Sequence, residues 1–450
     1  MKYFGTDGIR GTYGDLEVSE PFLRALGLGV ADYIKEYFSG NGKVVVGGDT
    51  RASTETLKEA FISALKEGGI ECEDVGILPT PALAYSVLQK KAIFGAMITA
   101  SHNPYCDNGI KFFDANALKI SDEVQLAFEQ KLEAHLSDVS GYAPKTFEPR
   151  EIVAGGFAQK DYVSKMSSIF PKDFLKGLKI AIDMANGATS KISSSVFRAY
   201  GAEVFEKSCN PDGININSGV GSQYPEQIAS FCREVGADVG FAHDGDGDRV
   251  VVVDENASIL EGEEVLYLIA EDAATRGILK GGAIVTTLQS NLGLDEALQG
   301  LGIGVHRSGI GDRLVMQMML ENGCNIGGEN SGHFIFSEIS PCGDGLAAAL
   351  SVLSVMVSKK AKLSQLRGAV AMFPSQSKAI KVARKTPIEE TPTLAKVIEQ
   401  SSNLLGSSGR LLVRYSGTEK KIRLLVEGRD IEIVKQIMQE LEKCVENDLQ

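Results

Sequence analysis

The sequence predicts an α/β protein: three α/β domains and a smaller C-terminal α+β domain. Three observations support this prediction. The 450 residues correspond to about three domains of ordinary size. Short apolar strands alternate with amphipathic helices along most of the chain. The last part of the chain changes instead to two strands around a turn, followed by one helix.

The first domain is predicted over residues 1–150, where a β-α-β rhythm indicates an open, largely parallel sheet. Its first helix begins at Ser19, a capping residue that an early proline follows, and it keeps apolar residues at helical spacing. Strands are expected at residues 43–46, 70–77 and 93–99, and helices at 53–66 and 81–90. A stretch rich in Ser, Gly, Pro and Lys at residues 137–160 marks the end of this domain.

Two further α/β domains and a smaller one are predicted over residues 151–256, 257–370 and 371–450. The second domain has strands at 178–182 and 237–241, with a helix after Ala188. The third has strands near 283–287 and 302–306, with helices after Asn291 and Asp312. The fourth has strands at 410–414 and 422–427 around a Ser-Gly-Thr turn, and then a helix at 431–445.

Composition and charge exclude several classes of protein. With 46 basic and 59 acidic residues the net charge is −13, which argues against nucleic acid or an anionic membrane as the main partner. No apolar run approaches the roughly 20 residues of a membrane-spanning helix, and the N-terminus has no signal-peptide pattern. The seven cysteines form no Cys-x-x-Cys pair. We therefore expect reduced thiols and a cytoplasmic protein.

A serine-containing loop is the first candidate for chemistry. Thr-Ala-Ser-His-Asn-Pro at residues 99–104 directly follows a strand, where open α/β sheets bind ligands. Ser101 beside His102 is placed to act as a nucleophile, although the same residues also form ordinary turns. Lys111, on the next strand, is either a phosphate or proton-transfer group or a solvated lysine.

An acidic loop is the sharper motif. Asp244, Asp246 and Asp248 alternate with glycines, so that three carboxylates can converge on one hard cation such as Mg²⁺. An EF-hand does not fit, because Arg249 occupies the position that needs glycine and a strand follows. A purely structural loop is the alternative, but adjacent carboxylates repel one another without a cation between them.

Two loops of the third domain suit ligand recognition. Gly-Glu-Asn-Ser-Gly-His at residues 328–333 combines groups that recognise sugar hydroxyls, with His333 as an acid or base. The alternative is a polar turn. Gly-Ile-Gly-Asp-Arg at residues 309–313 either binds an anion or caps the helix that follows.

The C-terminal turn suits a phosphate group. Arg414 and the following Tyr-Ser-Gly-Thr offer a guanidinium, hydroxyls and backbone amides, and Lys420, Lys421 and Arg423 make this turn locally basic. A plain hairpin turn is the alternative. Because nucleophile, metal, sugar and phosphate motifs fall on four domains, we expect them to meet in one cleft.

Taken together, these motifs resemble the α-D-phosphohexomutase superfamily over essentially the whole chain. The resemblance lies in residues 5–11, 99–104, 244–249, 328–333 and 414–419, in that order. The opening Gly-Thr-Asp-Gly-Ile-Arg-Gly and the closing Arg-x-Ser-Gly-Thr-Glu are similar to the branch that acts on glucosamine phosphates. Gly247 and Asn330 depart from that branch, and Gly247 is more typical of phosphomannomutases.

The resemblance implies three related α/β domains with mixed sheets plus a smaller C-terminal α+β domain around a central active-site cleft. It also implies a role for each candidate residue. Ser101 is expected to be the phosphoserine, and one Mg²⁺ per active site is expected to bind its phosphate together with Asp244, Asp246 and Asp248. The expected catalytic residues are Ser101, His102, Lys111, Arg249, His333 and Arg10. The expected substrate-binding residues are Glu329, Asn330, Ser331, Arg414, Ser416, Gly417, Thr418 and Arg423.

The implied reaction interconverts glucosamine 6-phosphate and glucosamine 1-phosphate, which supplies amino-sugar nucleotide and cell-wall precursor synthesis. Glucosamine 1,6-bisphosphate is expected as intermediate and activator. The expected partner is a small hexosamine phosphate, with neither nucleic acid nor membrane, and a homodimer is compatible with this interpretation. Three alternatives stay open: a phosphomannomutase/phosphoglucomutase, a metal-dependent sugar phosphatase with Asp244 as nucleophile, and a catalytically silent sugar-phosphate-binding protein.

Overall fold

A computed structural model describes residues 1–136, 142–152, 156–416 and 420–449. The chain divides into two compact units. The first comprises Met1–Leu288 with Val305–Gly368, and the second comprises Gln289–Gly304 with Ala369–Gln450. Within the described residues the strands form four sheets. No helix of this described part is long and apolar enough to cross a membrane.

The first sheet has the strand order β1-β5-β4-β2-β3. Its strands are β1 (Ile9–Thr12), β2 (Lys43–Gly48), β3 (Glu71–Ile77), β4 (Phe94–Ile98) and β5 (Asp107–Asp114). The helices of this part are α1 (Glu20–Phe38), α2 (Thr54–Glu67), α3 (Thr80–Lys90) and α4 (Asp122–His135). Ser19 caps α1 by accepting a hydrogen bond from the N–H of Phe22 at 3.4 Å, as its sequence predicts.

This first sheet is mixed rather than largely parallel. β2 pairs in parallel with β3 and β4, whereas β5 is antiparallel to both β4 and β1. The reason is the short connection at residues 99–106, because a short loop can only reverse the chain, and a parallel crossover needs a dozen or more residues. The serine loop is therefore the turn of a buried hairpin.

The second sheet has the order β7-β6-β8-β9. Its strands are β6 (Lys179–Asp183), β7 (Glu203–Lys207), β8 (Val239–His243) and β9 (Val250–Asp254), and the helices are α5 (Phe157–Met166), α6 (Ile192–Ala199) and α7 (Pro225–Val235). β6 is parallel to β7 and β8, and β9 returns antiparallel to β8. The acidic loop is the turn of this second hairpin, so that both sheets present a turn after a central strand.

The third sheet has the order β11-β10-β12-β13. Its strands are β10 (Ala283–Thr287), β11 (Gly304–Ser308), β12 (Ile326–Gly328) and β13 (Phe334–Phe336). The helices in this stretch of sequence are α8 (Gly262–Thr275), α9 (Leu292–Gln299), α10 (Asp312–Asn322), α11 (Gly345–Lys359) and α12 (Leu363–Leu366). β12 is parallel to β10 and antiparallel to β13, and the turn between β12 and β13 carries the predicted sugar loop.

The second unit contains α9 and an antiparallel sheet of order β14-β16-β15. Its strands are β14 (Ser375–Lys381), β15 (Gly409–Tyr415) and β16 (Lys421–Gly428), with helices α13 (Pro392–Leu405) and α14 (Ile431–Leu449). Apolar side chains of β16 and α14 form its core. The predicted α/β class with mixed sheets and a smaller C-terminal α+β part is confirmed, whereas the predicted domain boundaries stay predictions.

Candidate active site

Ser101 lies in the turn that follows β4, and its side chain is buried. Its hydroxyl donates to Asp244 Oδ2 at 2.7 Å and lies 3.4 Å from His102 Nδ1. Burial, and then the charges of Arg249 and Arg10, lower the pKa of His102 to about 4. The imidazole of His102 is therefore neutral near pH 7. The turn after β4 of the first sheet thus places the predicted nucleophile in contact with the acidic loop of the second sheet.

The three aspartates of the acidic loop converge. One carboxylate oxygen from each of Asp244, Asp246 and Asp248 lies within 4.8 Å of the others. Burial together with the charges of Asp248 and Asp246 raises the pKa of Asp244. Asp246 Oδ1 and Asp248 Oδ1 are buried, and no hydrogen-bond donor within the described residues reaches either of them. Oxygen ligands that lack a donor fit a hard divalent cation.

Two basic side chains border this acidic loop. Lys111 Nζ donates to Asp246 Oδ2 at 2.6 Å and to Asp248 Oδ2 at 3.0 Å. Burial disfavours the ammonium, but these two carboxylates outweigh it and raise the pKa of Lys111, so that the side chain stays charged. Arg249 donates its backbone N–H to Asp244 Oδ1 at 3.2 Å. Its buried Nε has no acceptor among the described residues, which leaves a donor for an anion.

His333 reaches the acidic loop from the third sheet, through an isolated antiparallel bridge with Arg249. Its Nε2 lies 3.4 Å from Asp312 Oδ2 and 3.8 Å from Asp248 Oδ2. Its buried Nδ1 has no partner within the described residues. Carboxylates beside Nε2 favour the tautomer that is protonated there, which leaves the Nδ1 lone pair able to accept a proton. Gly343 packs so closely that an added Cβ would lie 2.1 Å from the ring.

A chain of alternating charges extends from His333 to Arg10. Asp312 accepts from Lys119 Nζ at 2.7 Å, Lys119 also pairs with Asp7, and Asp7 pairs with Arg10. Sequence reasoning gave no role to Lys119 and treated Asp312 only as part of an anion-binding or capping loop. Asp312, Lys119 and Asp7 are far apart in the sequence, and no local pattern relates them.

The predicted sugar loop presents acceptors at the turn after β12. Glu329 Oε1 accepts from the backbone N–H of Gly311 at 3.0 Å, and Oε2 accepts from Ser331 Oγ at 3.2 Å. Asn330 and Ser331 are exposed. The bridge between His333 and Arg249 fixes this loop beside the acidic loop. Carboxylate and amide oxygens in this position can accept hydrogen bonds from hydroxyl or ammonium groups.

The second unit carries the predicted phosphate turn on β15 and β16. Arg414 and Arg423 stand directly opposite each other in the antiparallel register. Burial and the charge of Arg423 lower the pKa of Arg414. Ser416 donates its backbone N–H to the carbonyl of Lys421 at 2.8 Å. Gly417 and Thr418, also predicted for this site, lie outside the described residues.

Family models match the chain in four segments. They describe phosphoglucomutase/phosphomannomutase α/β/α domain I at residues 1–138, domain II at 160–258, domain III at 261–373 and the C-terminal domain at 378–443. Among curated proteins, the chain is 42% identical over 448 residues to a phosphoglucosamine mutase of Aeromonas hydrophila, with 99% of each chain covered. It is 40% identical over 446 residues to a phosphoglucosamine mutase of Aliivibrio fischeri, covering 99% of this chain and 98% of the relative.

Solved structures share the fold. A phosphoglucomutase/phosphomannomutase family protein from Burkholderia thailandensis superimposes with a TM-score of 0.80 at 22% identity, over 99% of this chain and 97% of the other. The Aspergillus fumigatus N-acetylphosphoglucosamine mutase in complex with GlcNAc-6P and magnesium gives a TM-score of 0.68 at 17% identity, over 100% and 96%. The matched domains and the identity to full-length relatives place this chain in the phosphoglucomutase/phosphomannomutase family of α-D-phosphohexomutases.

Proposed function

We propose that the protein is a phosphoglucosamine mutase, which interconverts glucosamine 6-phosphate and glucosamine 1-phosphate through a phosphoserine at Ser101. The observation that carries this proposal is the buried Ser101 hydroxyl, 2.7 Å from Asp244 within a cluster of three aspartates and beside Lys111. Phosphoryl transfer needs charge neutralisation and alignment of this kind. The names of the full-length relatives supply the choice of glucosamine.

One Mg²⁺ per active site fits the acidic loop. Asp244, Asp246 and Asp248 would hold it, together with the phosphate on Ser101, because two of their buried oxygens lack donors. The Aspergillus relative was solved with magnesium. When bound, the cation would neutralise negative charge on the transferring phosphoryl group. Lys111 and the unpaired Nε of Arg249 add positive charge on the protein side.

Proton transfer is assigned to His333. A sugar hydroxyl that attacks the phosphoserine must lose its proton, and the oxygen of Ser101 must be freed in the same step. Lys111 stays charged, because its pKa is raised by two aspartates, so it cannot accept that proton. His333 has an unpartnered Nδ1 while Asp312 faces its Nε2. It therefore takes the proton of the attacking 1-hydroxyl, while the Ser101 oxygen leaves as an alkoxide. In the second transfer this alkoxide attacks the 6-phosphate, and His333 returns the proton to the departing oxygen at carbon 6.

The reaction passes through glucosamine 1,6-bisphosphate. Phospho-Ser101 gives its phosphate to the 1-hydroxyl, and the 6-phosphate of this bisphosphate then returns to Ser101, which leaves glucosamine 1-phosphate. Glu329, Asn330 and Ser331 would contact the sugar, where acceptor oxygens suit hydroxyls and the ammonium at carbon 2.

The phosphate that is not being transferred would bind to the second unit. Arg414 and Arg423 stand directly opposite each other across the two strands, and two guanidinium groups on one face of a sheet suit a phosphate. Ser416, Gly417 and Thr418 would complete this turn, as in the family motif. A guanidinium and backbone amides bind a phosphate mainly through its charge, so one site can bind the phosphate at carbon 1 or the phosphate at carbon 6.

The test is kcat/KM for glucosamine, glucose and mannose 6-phosphates, measured with the same protein, Mg²⁺ and a 1,6-bisphosphate activator. We expect glucosamine 6-phosphate to give the highest value. A clear preference for mannose or glucose phosphate would change the substrate and leave mutase chemistry in place. Gly247 is no argument for mannose or glucose phosphate, because the local backbone accounts for the glycine. Its φ is 71°, and an added Cβ would lie 2.4 Å from Thr189 Cγ2.

A further inference from the structure

The backbone N–H and the carbonyl of Ser101 are each linked by hydrogen bonds, through one intermediate residue, to the same buried carboxylate. The N–H of Ser101 donates to Thr99 Oγ1 at 2.9 Å, and the Thr99 hydroxyl donates to Asp49 Oδ2 at 2.7 Å. The carbonyl of Ser101 accepts from Arg51 Nη2 at 3.0 Å, and Arg51 Nε donates to Asp49 Oδ2 at 2.9 Å. Asp49 therefore anchors the serine from both sides.

Arg51 binds three carbonyl oxygens of the serine loop and one that lies just beyond it. Its side chain is fully buried, with 0% exposed. Besides Asp49 and Ser101, it donates to the carbonyls of Asn103 at 2.8 Å, Asp107 at 2.9 Å and Pro104. Every N–H of the guanidinium thus has an acceptor. A lysine has fewer donors and no planar fork, so it cannot reproduce this set.

Asn217 reinforces the same loop from the domain that carries the three aspartates. Its Nδ2 donates to the carbonyl of Ser101 at 2.9 Å and to that of Asn103 at 3.0 Å. Gly245 of the acidic loop packs against this contact, since an added Cβ would lie 2.7 Å from the Ser101 oxygen and 2.8 Å from Asn217 Nδ2. The serine loop, Asn217 and the acidic loop are therefore packed against one another.

These bonds hold an unfavourable backbone. Ser101 has φ 53°, a left-handed conformation that a residue with a Cβ adopts only when its surroundings impose it. We propose that Arg51 and Asn217 are positioning residues for phosphoryl transfer, which hold the Ser101 and Asn103 carbonyls so that Ser101 Oγ points at Asp244 and the reacting phosphate. This inference rests on the proposed function, because it takes Ser101 as the residue that carries the phosphate.

The experiment compares Asn217→Ala with Asn215→Ala. In Asn217→Ala, Arg51 still bonds both carbonyls, so we expect the variant to fold. Because Asn217 has φ 57°, alanine also adds backbone strain, and the folded fraction is therefore measured beside the kinetics. We expect kcat to fall about tenfold or more, because small displacements of a reacting group are costly, with KM for glucosamine 6-phosphate within twofold. The rate at which glucose 1,6-bisphosphate phosphorylates Ser101, followed by intact mass, should fall by a similar factor. Asn215 lies in the same segment but bonds Asn210 and Asp212, so its variant should match the wild type.

Two results would overturn the inference: an Asn217→Ala kcat within twofold of wild type, or a loss of activity fully accounted for by a smaller folded fraction. Arg51→Lys keeps the charge but not the donor set, and full activity in that variant would count against the inference equally. If the wild type becomes phosphorylated but isomerises no glucosamine phosphate, the proposed function fails. The phosphorylation rate of Asn217→Ala would still decide the role of Asn217.

Discussion

At the scale of single residues, Gly245 sets the spacing between the nucleophile and the acidic loop. A Cβ there would lie 2.7 Å from both Ile216 Cδ1 and the Ser101 carbonyl oxygen. Because such contacts force the backbone to move, Gly245→Ala should destabilise the protein by about 1–3 kcal/mol. It should also lower kcat, since the movement displaces Asp244. Thermal unfolding and steady-state kinetics measure the two effects.

Gly300→Ala is the matched control for this glycine substitution. Gly300 has no atom nearer than 3.4 Å to an added Cβ, which is ordinary contact, and its φ of −58° suits any residue. We expect unchanged stability and activity in this variant. If the two alanine variants behaved alike, the close packing of the acidic loop on Ser101 would be contradicted.

Residues whose chemistry is local could be predicted from the sequence. Ser101 follows a strand directly, and the three aspartates alternate within one short loop, so that strand-end geometry alone brings carboxylates together. The partners of His333 could not be predicted in this way. Asp312 at the start of α10 meets Lys119 in the segment between β5 and α4, although the two lie 193 residues apart, and a single sequence carries no signal for that pairing.

At the scale of elements, the first turn of α10 carries the carboxylate that orients His333. Burial opposes ionisation of Asp312, but Lys119 and His333 together hold its pKa below the usual value. Asp312→Asn keeps the shape and removes the charge, so Nε2 of His333 loses the carboxylate that favours a proton there. We expect kcat to fall about 10- to 100-fold, as measured by steady-state kinetics on the folded protein. Thermal unfolding should show a lower Tm as well, because the substitution removes one partner of the largely buried ion pair with Lys119.

Asp122→Asn is the corresponding control on α4. Asp122 also lies in the first turn of a helix and pairs with a cation across the same pair of domains, Arg313 at 2.7 Å, but its side chain is 56% exposed. An exposed ion pair contributes little, so this variant should keep wild-type kcat. Equal losses in the two variants would show that the helix termini, rather than the contact with His333, matter for turnover.

The elements themselves were predicted unevenly. Helices with a cap and an apolar face, such as α1 and α14, lie close to their predicted bounds, because capping and periodicity are local. The directions in which the strands pair do not depend on local sequence. β5 pairs antiparallel with β4, and β1 joins the edge from the N-terminus. The prediction of a largely parallel first sheet was wrong for both pairings. The segment between β4 and β5 carries the predicted nucleophile, so it was interpreted as a functional loop and not as a hairpin turn.

At the scale of the whole molecule, the proposed function requires Mg²⁺, which the acidic loop of the second sheet would hold. We expect chelation to abolish turnover and Mg²⁺ to restore it. Because Mg²⁺ binds the folded protein, it should also raise Tm; at 100 times Kd the stabilisation is about 2.7 kcal/mol. Asp246→Asn should remove most of this shift in Tm. Full activity in the chelated protein would contradict the metal requirement.

If the protein is a phosphoglucosamine mutase, a phosphate moves between Ser101 and the sugar without release to water. Protein that carries ³²P on Ser101 is mixed with unlabelled glucosamine 6-phosphate, and the products of a single turnover are separated. We expect the label to appear in the sugar phosphates, and we expect a Ser101→Ala variant to take up no label and not to turn over. Label released as inorganic phosphate at the rate of turnover, or normal turnover by Ser101→Ala, would contradict this expectation.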